Sequence, residues 1–490
     1  MAVRLRVCRH RRKTMIQNVK YYRRALSVGT FFALFACAMP AVGQQTPAPV
    51  AANAVQNPAP EATATPVPEE RWNLFWQATS IGQYHGTFNS PYQGTNSLQD
   101  ATERDVSLTT TLFLGLRLTN GTQLYVDPEV AGGRGFSGVT GIADFPNGEM
   151  PRVTTAMPKP YFARAYLVQD FGFGGGKESV DSDDNQLAGE RPVNRYTIVL
   201  GKFAASDFFD NNGYSHDPRS QFMGWAAMYN GAWDYPADTR GYTWGWVHEL
   251  HTKNWSWRYG SCAEPKVANG ESFDRRLFRD RGDMFETERR YTVAGHAGAI
   301  RALGFLLHTD SGTYSEALRL AAATGQTPDV TLTHRAGTLK YGTGVSFEQE
   351  IARGIGVFSR LGWNDGKTES FAFTAMDRLA SGGVSVSGSR WKRKYDTAAS
   401  ALIVGGISGV HAQYLAQGGL DFLIGDGHLR YASEYVWESY YSARLFPGFF
   451  ATFDLQHITN PAYNQDRGPL WASSIRLHIE LGKESFAKRH

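Results

Sequence analysis

Val106-Ser107-Leu108-Thr109-Thr110-Thr111-Leu112-Phe113-Leu114-Gly115-Leu116-Arg117-Leu118-Thr119 changes character with every residue. Val106, Leu108, Thr110, Leu112, Leu114, Leu116 and Leu118 share one face, and Ser107, Thr109, Thr111, Phe113, Gly115, Arg117 and Thr119 share the other. A period of two is that of a β-strand, whose side chains point to alternate faces. The leucines therefore lie on one side, and most hydroxyls lie with Arg117 on the other, with Phe113 as the exception. Strands of soluble sandwiches are typically about five or six residues long. This alternation is longer and has the length of a tilted membrane crossing.

The next segment sets the parity. After Asn120-Gly121, Leu124, Val126, Pro128 and Val130 alternate with Gln123, Tyr125, Asp127 and Glu129. The two leucine faces coincide only if paired residue numbers have an even sum, as in Leu118 with Leu124. A turn of three or five residues satisfies that condition, whereas a two-residue Asn-Gly hairpin would exchange the faces. Arg117, Asp127 and Glu129 then point away from the leucines, giving an interior of mixed charge, as a water-filled barrel requires.

The pattern recurs along the chain. Arg195–Leu200 alternates, as do Tyr242–Trp246 and Trp255–Tyr259, whose Tyr242, Trp244, Trp246 and Trp255, Trp257, Tyr259 read as an interfacial girdle. Further strand-like stretches are 286–293, 299–309, 340–349, 355–363, 370–376, 384–391, 397–405, 435–445, 449–457 and 471–481. About seventeen candidates arise, but a single-chain bacterial barrel uses an even number, so sixteen is the expected count. Helical pattern is confined to Tyr314–Thr324 and His411–Gln417, between strands. Irregular stretches at 132–159, 204–240 and 262–283 exceed ordinary connections and are expected to be outer or folded-in loops. The fold class is therefore all-β, a transmembrane antiparallel barrel of about sixteen strands with short loop helices. Packing of the aromatic doublets in a soluble sandwich is the competing reading.

Composition agrees. The mean hydropathy of −0.37 is low because barrel strands alternate rather than run apolar. There are 52 glycines and 13% aromatic residues, suited to tight turns and interfacial belts. The first 43 residues carry Arg4, Arg6, Arg9, Arg11, Arg12, Lys13, Lys20, Arg23 and Arg24, no acid, an apolar run from Ala25 to Met39, and Ala41-Val42-Gly43. That order predicts a signal peptide over 1–43, cleaved near Gln44. A lipoprotein site at Cys37 is a weaker reading, because Phe35 is bulky where small residues are usual. Residues 44–70 are rich in Pro and Ala and predict a periplasmic linker. The barrel then spans 71–481, and 482–490 is a tail. Removing nine basic residues from 50 leaves 41 against 46 acidic ones, near −5, so no nucleic-acid partner is expected. Only Cys262 of the three cysteines lies beyond the signal segment, which excludes an internal disulfide in the mature chain.

Several motifs share an origin. Asp207-Phe208-Phe209-Asp210-Asn211-Asn212, Tyr214–Phe222, Gly231–Gly241, Phe145–Glu149, Leu361–Gly366 and Asn460–Asn464 together resemble the carbohydrate-selective porin (OprB) family, over about 72–481. The resemblance implies a sixteen-stranded barrel with inward loops and passive uptake of small sugars, notably glucose, across the outer membrane of a Gram-negative bacterium. It implies outer-membrane lipid as surroundings and no cofactor or metal. A monomer and a homo-oligomer fit the alternation equally. One departure is the carboxyl end, where Leu481 rather than an aromatic residue closes the last strand.

Sugar hydroxyls need donors and acceptors, and ring C–H faces favour aromatic surfaces. Candidates for lining the pore by strand parity are Arg117, Asp127, Glu129, Arg164 and Arg195. Loop candidates are Arg134, Glu149, Asp207, Asp210, Asn211, Asp217, Arg219, Trp233, Asp234 and Arg240. Asp217-Pro218 and Asn147-Gly148 are also ordinary turn formers. Two other functions compete: a membrane hydrolase using His216, Asp217 and Ser220, and an envelope anchor acting through 44–70. The first lacks any recognisable nucleophile or metal motif, so no catalytic residue is assigned.

Overall fold

The computed structural model describes residues 68–151, 156–276 and 278–482. The predicted signal peptide, most of the linker and all but Gly482 of the tail lie outside the described residues. The first strands are β1 (Trp72–His85), β2 (Glu103–Arg117), β3 (Thr122–Gly133) and β4 (Lys159–Gly172). A small hairpin follows, β5 (Lys177–Val180) and β6 (Gly189–Pro192). Then come β7 (Arg195–Phe203), β8 (Thr243–His251), β9 (Trp255–Ala263), β10 (Arg281–Val293), β11 (His296–Ser311) and β12 (Arg335–Ala352). The chain ends with β13 (Ile355–Asn364), β14 (Arg378–Ser387), β15 (Thr397–Gly406), β16 (Glu434–Phe446), β17 (Phe449–Thr459) and β18 (Leu470–Leu481). All strands but β5 and β6 form one closed antiparallel barrel of sixteen, sealed by β1 against β18 with Trp76 opposite Leu481.

The alternation in β2 does what its sequence dictates. Leu108, Leu112, Leu114 and Leu116 are exposed on the outer wall, whereas Thr109, Thr111 and Phe113 are buried inside. Phe113 thus joins the inner face without breaking the parity. The β2–β3 turn keeps the even sum, with Leu116 opposite Leu124 and Arg117 opposite Gln123. It is the shorter of the two allowed turns. Leu118 faces Thr122 rather than Leu124: its N–H donates to the Thr122 carbonyl at 2.9 Å, and the Thr119 and Thr122 hydroxyls meet at 2.7 Å.

Three strand readings need correction. Ser370–Met376 is not a strand but part of a buried loop inside the barrel. Its alternation faces loop core rather than lipid, and both environments are dry. The neighbouring strand is β14, so the expected 384–391 segment begins too late, and Gly388–Trp391 is a 3-10 turn. Tyr242 does not join Trp244 in the outer girdle; it is buried and faces inward.

The loop helices are α1 (Trp225–Met228), α2 (Tyr314–Thr324) and α3 (Gly409–Ala416). The last starts two residues earlier than its apolar pattern because the Ser408 hydroxyl accepts the His411 N–H at 3.1 Å as an N-cap. No described helix is long and apolar enough to cross a membrane. The crossing elements are strands.

One rim carries the loops 86–102, 134–158, 204–242, 264–280, 312–334, 365–377, 407–433 and 460–469. The other carries the short turns, the two ends of the barrel chain, and the longer connections 173–194 and 388–396. Short turns mark the periplasmic rim of such barrels. Much of the core lies inside the cylinder, where Phe145, Phe209, Trp225, Trp233, Tyr235 and Phe373 of the loops pack together. Wall carboxylates hold these loops by their backbones. Glu434 accepts N–H groups of Ala143, Asp144 and Ala462 at 3.0, 2.7 and 2.7 Å. Glu438 accepts those of Met223 and Gly224, Glu348 that of Gly213, and Glu286 that of Asp210. A buried N–H without an acceptor is costly, so each carboxylate fixes where a loop can lie.

Candidate functional site

Partly exposed polar side chains gather where 134–158 and 204–242 approach the β2–β8 wall. Glu129 points inward from β3 by parity. Arg164 points inward opposite Asp127 and in phase with Tyr166, beside a β-bulge where the β3–β4 register shifts between Asp127 and Pro128. A bulge re-aims the side chains beside it, and here both Ala163 and Arg164 leave the lipid face. Opposite them stand Glu149, Asp207, Arg219, Asp238, Arg240 and Tyr242 from the two loops.

Arg219 is the hub. Its guanidinium donates to Glu149 at 2.9 Å, Glu129 at 2.9 Å and Thr111 at 3.1 Å. Glu129 also accepts the Tyr242 hydroxyl at 3.2 Å and the Tyr161 hydroxyl. Arg164 grips Asp207 with two parallel bonds of 2.7 and 2.6 Å and reaches Asp127 at 3.5 Å. Fork-to-fork pairing of this kind fixes orientation as well as charge. Aromatic rings lie among the cations: Arg240 sits 4.5 Å over Tyr161, and Arg164 and Lys202 lie 5.4 and 5.8 Å from the Tyr242 ring. Burial, reinforced by the Glu129 carboxylate, pushes the Tyr242 phenol well up, so it remains a hydrogen-bond donor. Burial also raises Asp238, against the pull of Lys202. The side chains of Arg219, Arg164, Asp207 and Arg240 keep 13, 17, 21 and 22% of their exposure, so water reaches the cluster.

The sequence candidates separate by place. Glu129, Glu149, Arg164, Asp207, Arg219 and Arg240 meet in this cluster, with Asp127 beneath it. Arg117 and Arg195 lie at the short-turn rim, bound to the Glu70 and Ala188 carbonyls and to Glu178. Arg134 is exposed at the opposite rim, where it lines a cavity of about 410 Å3 with Glu103 and Asp105. Asp210 and Asp234 are buried loop anchors. Asp210 pairs with the fully buried Arg360, while Asp234 accepts the Phe371, Ala372 and Phe373 N–H groups at 2.7, 2.7 and 2.9 Å and Lys340 at 2.9 Å. Trp233 is buried against Phe209 and Tyr235, and Asn211 is half-buried beside Asp210.

Asp217 works as a turn residue. Burial opposes its ionisation, but the Ser220 hydroxyl at 2.7 Å and the Arg219 N–H at 2.9 Å lower its pKa. His216 is not directed at Ser220. Its ring packs edge-on against Tyr229, and burial lowers its pKa to about 4. Tyr161, Lys202 and Asp238 escape the sequence reading, which places Tyr242 in the outer girdle instead. The signal for two of these four is local: Asp238 and Tyr242 close a turn by two hydrogen bonds, with Gly241 between them at φ 91°.

A family profile described as carbohydrate-selective porin, OprB family, matches residues 95–481. The chain belongs to the OprB family of carbohydrate-selective porins. The match and the closed barrel make it an outer-membrane porin for carbohydrates, a channel rather than an enzyme. A high-pH structure of Pseudomonas putida OprB has TM-score 0.64 at 13% identity, covering 84% of this chain and 94% of that one. Pseudomonas aeruginosa OccK2 (OpdF) gives 0.43 at 9% identity, covering 84 and 98%. The first of these likenesses concerns the fold alone. No curated protein matches the sequence of this porin.

Proposed function

We propose that this porin admits small neutral monosaccharides such as glucose by facilitated diffusion into the periplasm of a Gram-negative bacterium, and that the Glu129–Arg219 cluster is its constriction. The observation that carries this reading is the pairing of each cation there with a carboxylate, Lys202 with Asp238 and Arg240 with Glu271 at 3.8 Å as well as Arg164 and Arg219, beside two tyrosine rings. Paired charges offer hydroxyls both donors and acceptors without a strong net field, and the half-buried Tyr161 ring offers an apolar face to sugar C–H groups. Partial exposure favours passage over deep binding, because conduction needs exit as well as entry. The amino-terminal 43 residues fit a cleaved export signal, and 44–70 a tether.

Liposome swelling tests the reading. Vesicles with the purified mature protein should swell faster in glucose than protein-free vesicles, with slower swelling in a disaccharide. Equal swelling with and without protein would end the proposal.

A further inference from the structure

The connection between β4 and β7 lies on the short-turn rim, yet it does not stay outside the barrel. Its β5–β6 hairpin carries a tight turn closed by two bonds of 3.0 Å between Asp183 and Gln186, with Asn185 at φ 54°. This turn enters the cylinder and rests on inward-facing side chains of three strands. Asn73 of β1 donates to Ser182 at 3.1 Å, to the Asp183 carbonyl at 3.3 Å and to the Gln186 carbonyl at 2.8 Å. Arg117 of β2 donates to the Ala188 carbonyl at 2.9 Å, and Tyr125 of β3 accepts the Leu187 N–H at 3.3 Å.

Leu187 is buried, and the barrel wall is shaped to receive it. A Cβ at Gly115 would stand 3.2 Å from Leu187, 3.1 Å from the Tyr125 ring and 2.4 Å from the Asn73 amide oxygen. The turn also touches the constriction. Asn185 donates to Asp127 at 2.9 Å, and Asp127 meets the Arg164 that grips Asp207. A continuous polar chain therefore runs from the periplasmic turn to Asp207 at the start of the inward loop 204–242.

We propose that residues 181–188 form a second, exit-side constriction in series with the Glu129–Arg219 cluster. It narrows the β1–β4 sector of the periplasmic mouth, where Asp181 is exposed. Residues 177–192 carry five acidic residues against Lys177 and Arg191, and a net negative exit disfavours anions while leaving neutral sugars unaffected. This inference rests on the channel reading above.

Substituted-cysteine labelling tests it in single channels of the full mature chain. The native Cys262 is buried, so the parent protein is the silent control. In Asp181→Cys, at the exposed position of the turn, a cationic methanethiosulfonate added from the periplasmic side should cause stepwise loss of current. A second variant replaces 177–192 by a short Gly-Ser turn and should show higher conductance and a reversal potential shifted toward anion permeation. Unchanged current after labelling, verified by mass, would overturn the proposal, as would unchanged conductance on trimming. If the trimmed variant fails to insert, the labelling result decides alone. Failure of the parent to pass sugar would instead remove the channel reading.

Discussion

Two sectors of the barrel share one inward parity and use it for opposite ends. On the β2–β8 side, inward Glu129 and Arg164 meet loop side chains that keep contact with water. On the β16–β18 side, Glu434, Glu438 and Arg476 are buried against loop backbone. Arg476 donates to the Pro218 and Gln221 carbonyls at 2.7 Å each, much as Glu434 accepts three N–H groups. One sector borders the water-accessible cluster, and the other holds the loops that border it from within. Facing inward means only that a side chain avoids lipid; its task depends on whether a loop lies against it.

The sharpest way to break this division is to release a loop. Asp234→Ala strands three buried N–H groups and the Lys340 ammonium. Loss of one partner from such a buried set costs about 3–5 kcal/mol. Thermal unfolding in detergent should fall accordingly, and proteolysis should open 365–377. An unshifted transition would show that the loop is held elsewhere.

A comparable effect should follow pH. His411 lies between Asp377 at 3.1 Å and Asp421 at 3.2 Å, stacked on Tyr314. Burial opposes its charge, but the two carboxylates win and raise its pKa to about 9. A pKa above the unfolded value stabilises fully below about 6.5, and that stability fades as pH rises through the folded value. Loops 365–377 and 407–433 should therefore become progressively protease-sensitive between about pH 6.5 and 9. His411→Asn should remove this pH dependence, and an identical profile in both proteins would refute the assignment.

Arg219→Ala acts on the other sector. It leaves Glu129 and Glu149 without their shared cation, so cation preference should rise in reversal-potential measurements and sugar flux should change. The barrel should remain folded, because Glu129 keeps its bonds from Thr111, Tyr161 and Tyr242. Tyr242→Phe should have the smallest effect, about 1 kcal/mol or less for one hydrogen bond, with a modest change in sugar block of the ion current.

The leucine alternation of β2 was enough to read a barrel, because lipid outside and water or packed loop inside demand opposite side chains at every step. The same logic fails at Ser370–Met376, where Phe371 and Phe373 alternate with small residues inside a loop core. At the candidate site, parity made Glu129 readable. Parity also placed Arg164 inward, but the bulge beside it, which turns Tyr161 inward as well, is not visible in strand alternation. Tyr161, Tyr242 and Lys202 required knowing which loop falls against which wall. Asp210 and Asp234 have the residue type of pore-lining groups, but their neighbours are backbone N–H groups and buried cations, so they serve the packing of the loops.

The wall carboxylates tie the seating of the inner loops to closure of the ring. Ala143, Asp144, Met223 and Gly224 are synthesised early, yet their acceptors lie on β16, among the last strands to emerge. Until the carboxyl-terminal hairpins close the cylinder, these inner segments have nowhere to seat. A chain stalled before residue 434 would therefore present an open sheet with loose loops, and only ring closure turns that sheet into a narrowed conduit.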